Sequence, residues 1–84
     1  MTVHQLKTLP EFFRDVGFLK SFEVRKDDRG FKVGDVLWLQ EWTEKAGYTG
    51  LSKQFKVSYI LHGEKWGIME GYCVMGLERD VRIR

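Results

Sequence analysis

Residues 20–35, K-S-F-E-V-R-K-D-D-R-G-F-K-V-G-D, constrain this chain more than any other stretch, because they compress a strand, a charged turn and a second strand into sixteen positions. Successive side chains of an extended segment alternate faces. Phe22 and Val24 are therefore expected on the core side, and Ser21, Glu23 and Arg25 on the polar side. Gly30 and the Gly34–Asp35 pair mark turns, since glycine takes positive φ without steric cost, and a second apolar run opens at Val36.

The following segments continue in short strands. V-L-W-L-Q-E-W-T, residues 36–43, is rich in β-formers and puts Leu37 and Leu39 on one face and Trp38, Gln40 and Trp42 on the other. Apolar bulk on both faces predicts a strand covered on both sides at its start. Residues 44–52 hold two glycines and read as a hairpin loop. Phe55, Val57, Tyr59 and Leu61 then alternate with Gln54, Lys56 and Ser58 as a half-buried strand. Residues 62–67 loop again, 72–77 supply a fifth strand, and 81–83 add a short sixth or pair with the first.

Before the central stretch, residues 2–7 read as a strand in which Val3, His4 and Leu6 compete for inward positions. Thr8 and Glu11 have the spacing of a capping box, and Pro10 falls in the first turn, where its missing N–H costs little. Leu9, Phe12, Phe13 and Val16 recur at helical spacing, which predicts about two turns of helix ending at Gly17. Five or six short strands with one N-terminal helix imply an α+β, mainly β fold. A curved sheet or small barrel is expected, because closure removes exposed strand edges.

An 84-residue chain with 43% hydrophobic content makes one domain, residues 1–84, that buries only about 60–65% of its unfolded surface. Fourteen Lys and Arg against twelve Asp and Glu leave a net charge of +2, which excludes a polycation and predicts weak, salt-sensitive nucleic-acid binding unless cations cluster. Lys20, Arg25, Lys26, Arg29 and Lys32 do fall close together, as do Arg79, Arg82 and Arg84. Interleaved acids at Glu23, Asp27, Asp28, Glu78 and Asp80 make a solvated mixed-charge surface the competing reading. The single cysteine, Cys73, excludes an intramolecular disulfide and a four-thiolate zinc site, and a cytoplasmic protein is expected. No apolar run approaches the roughly 18–20 residues of a membrane span. His4 and His62 lack companion ligands, and Gly30, Gly34, Gly47 and Gly50 do not build a phosphate-cradling loop. No metal, cofactor or membrane partner is expected.

The strings L-K-T-L-P-E-F-F, K-S-F-E-V-R-K-D-D-R-G-F-K-V-G-D-V-L, G-Y-T-G, V-S-Y-I-L and E-G-Y-C-V-M-G-L together resemble a family of short bacterial and phage domains of unknown function. That family lies in the ASCH group (activating signal cointegrator homology) of the PUA-like superfamily. The resemblance covers residues 6–77. It implies a small PUA-like β-barrel with a helix over one opening and a cleft floored by the K-x-x-E-x-R segment. Where the family has Gly-Lys-Lys before the strand, this chain has Gly17, Phe18, Leu19 and Lys20, one residue longer and one charge poorer.

The resemblance also implies RNA, or a nucleotide-like small molecule, as the partner. Lys20, Glu23 and Arg25 occupy the motif positions, with Ser21 between them and Lys26, Asp27 and Arg29 in the turn that follows. Cations there can pair with phosphates, Glu23 can accept from a base edge, and a ring such as Trp42 or Tyr48 can stack on an unpaired base. Trp38, Trp66 and Tyr72 are further candidate platforms, although rings in so small a protein are more often core. The alternative is a hydrolase of modified nucleosides or RNA in the same cleft, with Lys20 as base and Glu23 as proton shuttle. The related amidohydrolases resemble K-T-x-T-x-R, so Glu23 stands here where a nucleophilic Thr is expected, and enzymatic activity is the less favoured reading. If neither ligand binds, a protein partner is the remaining expectation.

Overall fold

The computed structural model describes residues 1–79; the sixth strand expected at 81–83 lies outside the described residues. Five strands, β1 (Val3–Thr8), β2 (Phe22–Lys26), β3 (Val36–Thr43), β4 (Gly47–His62) and β5 (Tyr72–Arg79), form one sheet in the order β1-β3-β4-β5-β2. A short helix, α1 (Pro10–Asp15), follows β1. β1 and β3 pair in parallel, and the other three pairs are antiparallel. The sheet curls into an open half-barrel. Among the described residues no helix is long and apolar enough to cross a membrane.

The core lies inside the curl. Leu6, Leu37, Leu39, Val57, Cys73 and Met75 contribute from four strands, and Val16 and Phe31 close it from the connections. Complete burial of each of the larger side chains stabilises the fold by roughly 1.5–3 kcal/mol. β3 begins and ends as the sequence predicts, with Leu37 and Leu39 fully buried on one face. Residues 47–52 are not a loop. They belong to β4 and pair with β3, and the turn shrinks to 44–46, closed by the Ala46 N–H donating to Thr43 Oγ1 at 2.9 Å. The register of β4 on β5 shifts between Val57 and Tyr59. An extra residue reverses the in–out phase of a strand. Tyr59 is therefore exposed, and Ile60 takes the position against the core.

β1 turns His4, Leu6 and Thr8 inward and leaves Val3 exposed. A buried histidine needs a polar partner, and His4 Nε2 donates to Asp35 Oδ2 at 2.9 Å, with Phe31 edge-on to the imidazole. Asp35 also accepts the Thr2 and Lys32 amides, both at 3.1 Å, which ties the turn before β3 to the start of β1. Burial by itself raises the Asp35 carboxyl, but the bonds from His4, Thr2 and Lys32 outweigh it and hold the group below its ordinary value.

No capping box forms at α1. Leu9 is the N-cap residue without a side-chain cap bond, and the helix stops at Asp15, two residues before Gly17. Thr8 has another partner, described below. Of the four apolar helix positions, Phe13 and Val16 are buried while Leu9 and Phe12 face outward. Lys53 of β4 closes the helix end, its ammonium donating to Phe13 O at 2.7 Å and Val16 O at 3.2 Å.

Candidate ligand-binding cleft

The polarity of β2 is the reverse of the expected one. Glu23 is 2% exposed, whereas Phe22 and Val24 are 45% and 52% exposed. Register explains the inversion, because residues directly opposite on antiparallel strands share a face. Glu23 pairs with Met75 and Arg25 with Cys73, both core residues, while Phe22 and Val24 face the other way with Gly76 and Val74.

The inward charges are compensated in place. Lys20 Nζ donates to Glu23 Oε1 at 2.5 Å, and Arg25 Nε donates to Glu23 Oε2 at 2.8 Å. Arg25 then reaches across to β1, donating through Nη1 to Lys7 O at 2.9 Å and through Nη2 to Thr8 Oγ1 at 3.0 Å. Arg29 does the same one step earlier, with Nη1 at 2.8 Å from Gln5 O. β1 and β2 are the two ends of the sheet order, so no backbone ladder joins them. Guanidinium groups satisfy carbonyls on the β1 edge that a neighbouring strand would otherwise take.

A cleft of about 690 Å³ lies at this seam. Its walls are Leu9, Phe12, Leu19, Phe22 and Val24, and its polar groups are Lys7, Thr8, Asp15, Lys20, Glu23 and Arg25. Three cations against two carboxylates leave one net positive charge. The Lys20 ammonium sits 5.5 Å from the Phe12 ring centre and 5.3 Å from that of Phe22, so two aromatic walls flank the charged floor.

The remaining candidates are dispersed. Ser21 lines a different groove, together with Lys53, Gln54 and Arg79. Lys26 is exposed at the end of β2, and Asp27 accepts from His62 Nδ1 at 2.8 Å. Trp42 and Tyr48 face each other across β3 and β4 outside the cleft, and Trp42 connects to it only through Lys7, whose ammonium lies 4.8 Å from the indole. Trp38 is half-buried with its indole N–H enclosed and without an acceptor among the described residues. Trp66 is exposed at φ +60 in the β4–β5 connection, outside the cleft. Cys73 lies beneath the floor; burial, then the Asp27 and Asp28 carboxylates, push its thiol up to about 11.

Lys7, Thr8, Leu9, Phe12, Leu19, Phe22 and Val24 were not among the expected site residues. One signal pointed to them: a polar row of alternating E-x-R on a strand of so small a protein is ambiguous in its direction, and the apolar partners become the outer wall when it faces in.

The fold and its cleft define a small, mainly β half-barrel with a preformed, aromatic-walled pocket at its open seam. Residues 3–77 match the family described as Domain of unknown function (DUF3850), and the chain belongs to that family. No curated protein matches the chain.

Proposed function

We propose that this chain is an ASCH-type, PUA-like domain of the cytoplasm that binds single-stranded RNA, taking one unpaired nucleotide into the cleft between β1 and β2. The observation that carries the reading is the composition of that cleft, a Lys20–Glu23–Arg25 floor between the Phe12 and Phe22 walls. Its volume of about 690 Å³ falls within the roughly 300–1,000 Å³ of small-ligand sites. A base has an apolar face for the rings and polar edges for the floor. The phosphate meets Lys7 and Lys20, because Arg25 already spends its Nε and both terminal nitrogens on protein acceptors. With few cations available, stacking at about 1–3 kcal/mol per base supplies much of the affinity, and the salt dependence is shallow.

A two-dimensional NMR titration with a short single-stranded RNA and with a mononucleotide tests the reading. With either ligand, shifts are expected at the cleft residues Lys7, Thr8, Phe12, Lys20, Phe22 and Arg25, and Phe22→Ala should weaken binding about tenfold, in line with the loss of one stacked base. Absence of any shift at low salt overturns it.

Hydrolysis of a modified nucleoside is the second reading, favoured by the direct Lys20–Glu23 contact and by a Thr8 hydroxyl in the same cleft. It is the weaker one. Thr8 Oγ1 accepts from Arg25 and its nearest acceptor is Leu6 O at 3.5 Å, so no base is poised to activate it. Ser21 lies in the other groove. Release of product from an acylated cytidine during the titration would reverse this order.

A further inference from the structure

Between α1 and β2 the chain makes a tight ridge. The Asp15 carbonyl accepts the amides of Phe18, Leu19 and Lys20 at 3.1, 2.9 and 2.9 Å, and the Gly17 amide donates to Lys20 O at 2.7 Å. Gly17 is in the left-handed region at φ +82 and rests on Phe55, so closely that a Cβ there would fall 2.4 Å from the ring. Lys53 holds the Val16 carbonyl from the same strand. The ridge is therefore clamped to β4 at its base. Its tip nevertheless presents two consecutive large apolar side chains to solvent, Phe18 at 80% and Leu19 at 78% exposure. Burial in this chain does not account for that placement.

The tip divides two concavities. Leu19 and Lys20 line the β1–β2 cleft, while Gly17, Phe18 and Ser21 line a groove of about 480 Å³ on the other side. Among the described residues that groove carries Lys53 and Arg79 against Glu78, one net positive charge like the cleft, and offers Ser21 and Gln54 as hydrogen-bonding groups beside Phe55. Two nucleotide-sized hollows of the same charge, separated by a fixed apolar edge, match a strand whose neighbouring bases are parted. Neighbouring stacked bases lie about 3.4 Å apart along a strand, and apolar side chains are the usual means of opening such a step. The cost is least in a strand that is already single.

We propose that Phe18, with Leu19, is a wedge that separates two adjacent nucleotides of single-stranded RNA, sending one base into the cleft and its neighbour into the Ser21–Gln54 groove. The inference rests on the RNA reading above. It assigns the second groove as a subsite for the same strand, and it gives Phe18 a role that cleft binding alone does not require.

The test compares uridine monophosphate with tetrauridylate on the full chain, in wild type and in Phe18→Ser, a change at an exposed side chain outside the cleft. In wild type the tetranucleotide should shift amides of Ser21 and Gln54 as well as those of the cleft, and the mononucleotide only the cleft. Phe18→Ser should leave mononucleotide affinity unchanged, weaken the tetranucleotide about tenfold and abolish the Gln54 shift. Equal tetranucleotide affinity in the two proteins, or Phe18-dependent binding to anionic phospholipid vesicles with RNA affinity unaltered, overturns the wedge while the cleft reading stands. If neither nucleotide binds wild type, both fall together.

Discussion

Two regions of this half-barrel are held by different means. Across β3, β4 and β5 the strands are joined by backbone ladders over a face of fully buried Leu37, Leu39, Val57 and Met75. Across the seam, β1 meets β2 through the side chain of Arg25 and the turn after β2 through that of Arg29, with Glu23 as the buried counter-charge. Ladder bonds belong to the main chain and survive most substitutions. A seam of side chains can be opened by changing one residue, and it is the seam that carries the cleft. In this small fold the cleft thus lies where closure is left to side chains.

The seam depends most on Glu23. Removing a buried carboxylate leaves Lys20 and Arg25 without their counter-charge, and such losses cost about 3–5 kcal/mol when both partners are buried. Lys20 and Arg25 retain some water contact, so Glu23→Ala is expected to cost about 2–4 kcal/mol by urea denaturation. Amide exchange should accelerate along β1 and β2 far more than in β4. Uniform acceleration would show that seam and core open as one unit and break the distinction.

Acid provides the second probe. The Asp35 carboxyl is held below its ordinary value of 3.8, so the folded state takes up its proton less readily than the unfolded chain. Its stabilisation is complete above that value and is lost as pH falls through the lower folded one. The stability difference between wild type and Asp35→Asn should therefore shrink between pH 6 and pH 2.5. A difference independent of pH would assign the effect to packing.

The smallest effect is expected at Arg29. Its bond to Gln5 O is exposed, and the carbonyl returns to water when the guanidinium is removed, so Arg29→Ala should cost less than about 1 kcal/mol. A loss as large as that of Glu23→Ala would mean that the stitch itself, rather than the buried charge, holds the seam.

The sequence made the strands legible wherever apolar residues mark the inner face, as in β3. It misled where that marker points outward. Glu23 faces the core because the β5 register demands it, and alternation cannot distinguish a strand from its mirror reading when charges are compensated by residues far along the chain. Lys7 O and Thr8 are such partners for Arg25, 18 and 17 positions away. Tyr59 was displaced by a bulge, and residues 47–52 looked like a loop because two glycines at positive φ lie within a continuous strand. The charged part of the cleft was visible in Lys20, Glu23 and Arg25. Its aromatic part was not, since Phe12 and Phe22 carry the same periodicity as core residues, and Phe22 is turned outward by the register of β2 on β5.

Cys73 sits opposite Arg25 on the β5 side of that curl, and its thiol is pushed up to about 11. The folded state therefore disfavours the reactive thiolate, whereas an unfolded cysteine ionises near about 8.5. The unmodified protein thus contains its own chemical clock. An aromatic disulfide reagent colours only when the core around Cys73 opens, so the rate of colour development counts those openings without any label being introduced.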